Sequence, residues 1–123
     1  MTAKAYVYNL LNSNSTITDL LTVDEDGDPA IFQSWYDEIV GTPQITIMRI
    51  DEINQMDYDD TESIIVTPMQ IDIWTDKGTS TLDIETQVRS VFLAQGIKTK
   101  AKDMHEETLN RVSITFEIDG SQI

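Results

Sequence analysis

Apolar residues recur along this chain with two spacings, one typical of helices and one typical of strands. Helical spacing predicts a first helix over Ala3–Leu11 and a longer one over Thr81–Gln95, each with one apolar stripe. After the longer helix, Gly96 suits the left-handed position that follows a last turn, and Ile97 can then contact Phe92. We therefore expect two amphipathic helices, the second with a well-defined end.

A short helix is also predicted between the first helix and the strands. Thr16 can act as its N-cap, and Asp19, three residues further on, gives an imperfect capping box. Ile17, Leu20 and Leu21 supply its apolar side chains. A polar stretch separates this short helix from the first one.

Alternating apolar and polar residues predict the strands of a sheet. These strands are Ala30–Tyr36, Gln44–Ile50, Ile64–Thr75, Ile97–Glu106 and Arg111–Ile118. In the third of them, Pro68 cannot donate a ladder hydrogen bond, which predicts an edge position or a bulge there. The alternation in the last strand predicts one packed face and one wet face.

The order of elements predicts an α+β fold. We expect a two-layer sandwich with a mixed or antiparallel sheet of four to five strands. The N-terminal helix and the helix near 81–95 would cover one face of that sheet. At 123 residues, we expect one domain over 1–123.

The segment Asp51–Ser63 is acidic, has no periodicity and is predicted to be a loop. It contains Met56 and Tyr58, and exposed side chains of these types are typical of protein contacts. The alternative is that both side chains fold back onto the core. With Trp35, these two residues are the predicted protein-interface residues.

Charge narrows the classes of partner. The chain has 22 acidic and 8 basic residues, a net charge of −14, with −11 on residues 1–62 and −3 on residues 63–123. Specific nucleic-acid binding and binding to anionic membranes both need clustered Lys and Arg, and both are disfavoured. Only Lys98, Lys100 and Lys102 form a basic run. We expect no export signal and no transmembrane segment.

The stretch "VDEDGDP", Val23 to Pro29, resembles a calcium loop at first sight. With Asp24 at position 1 of such a loop, position 6 is Pro29 instead of glycine and position 12 is Trp35 instead of glutamate. Both differences remove what the loop needs, a sharp turn and a closing ligand. Asp-Gly and Asp-Pro pairs favour a solvated acidic turn.

Other candidate chemistry is weak. The chain has no cysteine, and zinc at the only histidine, His105, would need three carboxylates beside it, so we expect a surface residue in a hairpin. Asp72 with Asp76 and Lys77 lacks the acid-x-Lys spacing of a metal-dependent nuclease. We therefore predict no catalytic residues, no metal and no cofactor.

Two acid pairs in the predicted loop leave one further possibility open. Asp51-Glu52 and Asp59-Asp60 could hold magnesium if the segment folds so as to bring them together. We favour a solvated loop over a magnesium site for these acids, and a small hydrolase or nuclease is the alternative that they would support.

The order of the motifs resembles the tail completion (tail terminator) family of long-tailed phages, from approximately Lys4 to Ile118. The resemblance rests on "YVYNLLNSNSTITDLL", on "PQITIMRID", and above all on "MQIDIWTDKGTSTLDIETQVRSVFLAQG", in which a strand leads through a short turn into the amphipathic helix. The closing "KTKAKDMHEETLNRVSITFEI" is similar to the family's last strands. A departure lies before "IFQSWYDE", where many members carry Tyr-Pro.

The resemblance implies a non-enzymatic virion protein that caps the tail tube and joins it to the head, as a hexameric ring around the DNA channel. Its implied partners are the major tail protein and a head-completion or stopper protein. It implies the virion neck and tail as location, and the host cytoplasm during assembly. Stopper and adaptor proteins of the neck are equally small and remain alternatives.

Two hypotheses follow from the charge. Acids of residues 1–62 would repel DNA from the wall of the channel that the resemblance implies. The free protein is expected as a monomer that assembles on contact with tail tube ends, and self-repulsion would make rings harder to close at low salt. The competing class is an acidic DNA mimic that inhibits a DNA-binding enzyme. Mimicry needs acids spaced like phosphates, whereas these acids concentrate in turns and a loop.

Overall fold

The computed structural model describes residues 1–50, 53–56 and 63–123. These residues form three α-helices and six strands. In chain order they are α1 Ala3–Asn12, α2 Ser15–Thr18, β1 Ile31–Phe32, β2 Gln44–Arg49, β3 Ile53–Met56, β4 Ser63–Asp76, α3 Leu82–Ala94, β5 Lys100–Met104 and β6 Leu109–Asp119, followed by a short 3-10 helix, Gly120–Gln122.

The strands form one mixed sheet in the order β1-β2-β4-β6-β5, and β3 pairs with the first part of β4. β1 is parallel to β2, and the other neighbouring strands are antiparallel. β4 has 14 residues and pairs with β2, β3 and β6. The predicted α+β sandwich is confirmed, with five strands across its sheet.

The core lies between the sheet and the two longer helices. α1 contributes Val7 and Leu11, and α3 contributes Phe92, all fully buried. The Phe92 ring packs 4.5 Å from the Phe116 ring of β6, measured between ring centroids. Burying each such side chain stabilises the fold by about 1.5–3 kcal/mol. Both predicted helices therefore cover the sheet on one face, as expected.

The helix ends show which capping predictions were right. The end of α3 is confirmed, because Gly96 has a φ of 76° and the Ile97 amide donates to the Phe92 carbonyl at 2.9 Å, a Schellman motif. The predicted N-cap of α2 was wrong. Asn14, which precedes Ser15, caps the helix by accepting from the Ile17 amide at 3.1 Å.

Asp19, predicted as part of a capping box, follows the last turn of α2 instead. Ile17, predicted as one of the apolar side chains of this helix, is fully buried.

Two strand predictions need correction. The predicted strand Ala30–Tyr36 is ordered as a strand only over Ile31–Phe32, because the chain then leaves the edge of the sheet and crosses one of its faces. The predicted loop Asp51–Ser63 contains β3, which pairs with β4 and extends the sheet along that strand. Pairing with the next strand of the chain supplied the order that local periodicity did not indicate.

Pro68 does not lie in an edge strand, because β4 has neighbours on both sides. The pairing register with β4 changes by one residue between β2 (Arg49 opposite Met69) and β3 (Ile53 opposite Val66). Such a change is what a bulge produces. Pro68 lies at that junction and accepts from the Ile50 amide at 2.9 Å. β4 itself keeps one continuous register with β6 through Pro68, which lies opposite Glu117, so the predicted edge position is wrong and the described residues show no bulge within β4.

Candidate protein-contact face

The face of the sheet opposite the helices, called the polar face below, was predicted to be wet. Its centre is buried instead: Asp72 is 1% exposed, Trp74 3% and Ser113 5%. The strand register places Thr46, Asp72 and Ser113 in one row across β2, β4 and β6. The next row contains Gln44, Trp74 and Arg111. The middle of this face is therefore covered by other protein atoms instead of water.

A buried ion pair forms the centre of the polar face. Arg111 Nη2 donates to Asp72 Oδ2 at 3.0 Å, and Arg111 Nη1 donates to Glu106 Oε1 at 2.9 Å. Asp72 also accepts from the Ser113 hydroxyl and, at 3.0 Å, from the Gln70 amide. A buried carboxylate needs such donors to offset its lost hydration. Asp72 is thus fully occupied by protein contacts.

Aromatic rings enclose the same arginine. The Arg111 guanidinium carbon lies 4.8 Å from the ring centroids of both Trp35 and Trp74. Trp35 meets Trp74 edge-on at 5.4 Å, and Tyr36 packs on Trp74 at 4.8 Å. Trp74 Nε1 donates to the Thr46 hydroxyl at 3.0 Å. Cation–π contacts of this kind add to the ion pair and fix the ring positions.

Residues 33–43, called the cover segment below, carry Trp35 and Tyr36 onto the polar face. The side chain of Gln44 holds this segment: it accepts from the Asp37 amide at 2.8 Å and donates to the carbonyls of Asp37, at 3.0 Å, and Gly41, at 2.7 Å. Burial, and then the charges of nearby carboxylates, raise the pKa of Tyr36. The neutral phenol is therefore the form that suits this site.

The cover segment exposes apolar surface. Trp35 is 51% exposed, and Ile39 is 97% exposed. Trp and Arg are the residue types most often found at the energetic centre of protein interfaces, and Arg111 lies directly beneath Trp35. A rigid indole beside a fully exposed isoleucine is a suitable surface for binding another protein.

The three predicted interface residues lie at different places in the chain's structure, and their interface role stays a prediction. Trp35 lies on the polar face, packed on Trp74 and half-exposed. Met56 is in β3 opposite Ser63, at the other end of β4, with its side chain outside the described part. From Ser63 to Trp74 the strand advances roughly 36 Å, so Trp35 and Met56 do not share one patch. Tyr58 lies outside the described residues, and its role stays a prediction.

The acidic stretch is a turn, as predicted. One carboxylate oxygen of Asp24 accepts from the backbone amides of Asp26 at 2.9 Å and Asp28 at 3.0 Å. Gly27 has a φ of 83°, which glycine adopts without strain. The Asp24 carboxylate therefore organises the turn, and the other three acids project into solvent.

The weak catalytic candidates serve structural roles. Asp76 ends β4 and accepts from the Thr42 hydroxyl at 2.6 Å, and Lys77 donates to the Glu106 carbonyl at 2.8 Å. His105 is exposed in the hairpin between β5 and β6, as predicted. It lies beside a cleft of about 540 Å³ that Lys77 also lines. The acid pairs Asp51-Glu52 and Asp59-Asp60 lie outside the described residues.

The described residues contain neither a cluster of metal ligands nor a helix that could span a membrane. Within 1–50, 53–56 and 63–123, no three His, Asp or Glu side chains come together as metal ligands would. Over the same ranges, every helix is too short or too polar to cross a bilayer.

The sequence reasoning missed Arg111, Tyr36 and Gln44 as members of this site. One signal was present. Gln70, Asp72 and Trp74 alternate on the outward side of a strand that also carries a buried face, and a tryptophan in such a row requires a cover. The cover itself comes from a distant segment, and the strand pattern does not identify it.

The fold matches that of a chain in the solved structure of the virion of a native gene transfer agent particle. The TM-score is 0.60, the identity is 17%, and the match covers 95% of this chain and 92% of that chain. No protein-family model matches the sequence, and no curated protein does. This chain therefore has, over nearly its whole length, the fold of a gene transfer agent virion component.

Proposed function

We propose that this protein is a non-enzymatic structural component of a phage or phage-like virion, which caps the tail tube and joins it to the neck. The observation that carries the proposal is the fold match along 95% of the chain to a virion chain. A fold by itself hosts many functions. The resemblance of the sequence to the tail completion family supports the same role independently.

The polar face supports a structural role because its reactive groups are occupied. Asp72 is enclosed by donors, and Arg111 is held between two carboxylates and two indoles. Such an arrangement fixes side chains and leaves no free nucleophile or base at this place. It stabilises a surface from which Trp35 and Ile39 project.

The proposed partners are the major tail protein and a head-completion or stopper protein. The proposed assembly is a hexameric ring around the DNA channel, located in the neck of the virion and formed in the host cytoplasm. On this proposal, Trp35 and Ile39 contact one of these partners. Their apolar surface would be buried on docking, and the ion pair below them would stay intact.

The test uses tail tubes assembled from the major tail protein of the phage or phage-like element whose genome encodes this chain. Purified protein is mixed with the tubes, and electron microscopy and co-sedimentation measure binding to tube ends. We expect end-specific binding and tubes that no longer elongate. Absence of any binding to intact tubes or to the neighbouring neck protein would contradict the proposed function.

A matched pair of variants locates the contact. Ile39→Ser removes an apolar side chain that is 97% exposed on the cover segment, and Leu93→Ser removes one that is 70% exposed on α3. Neither change should destabilise the fold, because neither side chain is buried. We expect the first to weaken tube or neck binding about tenfold, since loss of an interface anchor costs more than about 1 kcal/mol, and the second to leave it unchanged. Equal effects of both would argue against the cover segment as the contact.

A further inference from the structure

Charge is divided between the two edges of the sheet. Residues 5–48 contain seven acids and no Lys or Arg, and they include β1 at one edge. The opposite edge is β5, in which Lys100 and Lys102 are exposed beside one exposed acid, Asp103, and exposed Lys98 lies just before it. Four strand spacings separate the two edges, roughly 19 Å. A chain with a net charge of −14 thus has one basic edge.

The lysines of the basic edge are not neutralised by carboxylates of the described residues. Within the described ranges, none of Lys98, Lys100 and Lys102 forms an ion pair with a carboxylate. The start of the edge is fixed to the helix layer, because Arg89 Nε of α3 donates to the Thr99 hydroxyl at 3.0 Å. These lysines therefore project from a fixed strand and keep their charge available to another molecule.

The acidic edge presents an ordered group of like charges. In the turn that precedes β1, the Asp24 carboxylate binds backbone amides, which leaves Glu25, Asp26 and Asp28 exposed. The turn is anchored at its base, because the Ala30 amide donates to the Thr22 carbonyl at 2.9 Å. An ordered acidic group loses less conformational entropy on binding than a mobile one.

We propose that the β5 edge of one copy, through Lys100 and Lys102, docks on the acidic turn of a second copy, at Glu25 and Asp26. The contact is head-to-tail, because pairing two like edges would juxtapose charges of the same sign. Repetition of a head-to-tail contact generates a ring when the rotation closes. The inference thus rests on the proposed ring for its biological setting and names the surfaces that form it.

Salt distinguishes this contact from simple repulsion between acidic molecules. At about 0.01 M salt the Debye length is roughly 30 Å, so the whole negative charge of each copy opposes association. At about 0.1 M it is roughly 10 Å, and the adjacent edges dominate. At about 1 M the edge contact is screened as well. We expect self-association to be strongest near the middle value.

The test is a charge swap measured by sedimentation equilibrium at about 0.1 M salt, at protein concentrations up to about 1 mM. The basic-edge variant is Lys100→Glu/Lys102→Glu, and the acidic-turn variant is Glu25→Lys/Asp26→Lys. All four side chains are exposed, so both variants should fold, and circular dichroism checks this. Each variant by itself should self-associate at least about tenfold more weakly than the wild type.

Mixing the two variants should restore association, because every head-to-tail contact then pairs opposite charges. The charge-matched comparison uses single changes: Lys102→Glu should weaken self-association, whereas Lys4→Glu, which changes the net charge by the same −2, should have no effect. Wild-type protein that stays monomeric at every salt concentration, or a mixture that associates no better than its components, overturns the proposal. If the charge-swap variants still self-associate but no longer bind another virion protein, the proposal is also overturned. That other protein is then the partner of the changed surface.

The tail-tube experiment separates this inference from the proposed function. A charge-swap pattern in solution without any binding to tubes or neck would refute the proposed function and leave the head-to-tail contact standing. If the protein binds tubes but the charge-swap variants self-associate like the wild type, the head-to-tail contact is refuted and the proposed function stands.

Discussion

Replacing Arg111 by methionine tests whether the buried ion pair holds the polar face together. The substitution keeps much of the apolar stem and removes the guanidinium. It leaves Asp72 with a side chain that is 1% exposed and has no cationic partner. Removing one member of a buried pair costs about 3–5 kcal/mol. Loss of the contacts with Trp35 and Trp74 adds about 0.5–2 kcal/mol.

That loss is large relative to the whole stability of the fold. A 123-residue chain is expected to unfold with roughly 6–18 kcal/mol. With a urea slope of about 2 kcal/mol/M, a combined loss of about 3.5–7 kcal/mol should lower the midpoint of unfolding by about 2–3.5 M. Far-UV circular dichroism during urea titration measures this directly.

Two further variants serve as controls. Arg89→Met breaks an ion pair with Glu85 at 3.6 Å, where the arginine side chain is 43% exposed, and an exposed hydrogen bond to the Thr99 hydroxyl at 3.0 Å, and should cost only about 1 kcal/mol. The double variant Asp72→Asn/Arg111→Met removes the uncompensated charge and should recover about 1–2 kcal/mol of the loss. If Arg111→Met and Arg89→Met have equal effects, the reasoning about the polar face is refuted.

Three further predictions concern the cover segment and the end of α3. Gln44→Leu should cost about 2–3 kcal/mol in urea unfolding and speed proteolysis within 33–43, since it leaves the Asp37 amide unpaired; unchanged proteolysis would contradict the role of Gln44. Gly96→Ala should cost roughly 1–2 kcal/mol because of the positive φ, while Gly78→Ala should stay within about 0.5 kcal/mol, and equal thermal unfolding of both would be inconsistent with this. The pKa of Tyr36 is raised in the folded state, so the unfolded chain loses that proton first as the pH rises. The free energy of unfolding should therefore decline above about pH 10 more steeply in the wild type than in Tyr36→Phe. Parallel pH profiles of the two proteins would show that burial of this phenol has no energetic effect.

The sequence predicted what local patterns determine. The Schellman end at Gly96 and the packed face of β6 depend on residues a few positions apart, and both were right. β3 was missed because it is ordered by pairing with β4, and local periodicity gives no sign of such a partner. The extent of β1 was overestimated because its second half packs across the sheet.

The polar face was mispredicted for a related reason. A row of polar residues on a strand has the same pattern whether water or other protein atoms cover it. Asp72 and Arg111 are distant in sequence, and their proximity depends on the register between β4 and β6. Trp35 could be predicted as a contact residue by type, but its position over Arg111 required the fold.

Both tryptophans of the chain, Trp35 and Trp74, lie on the same side of the sheet and touch one arginine. When only tryptophan is excited, the emission therefore reports directly on that side of the sheet and not on the helices, whose aromatic residues are tyrosine and phenylalanine. A docking protein that shields Trp35 should shift the emission to the blue and protect it from soluble quenchers. The native polypeptide thus contains its own optical probe, so binding to that side can be followed without an attached dye.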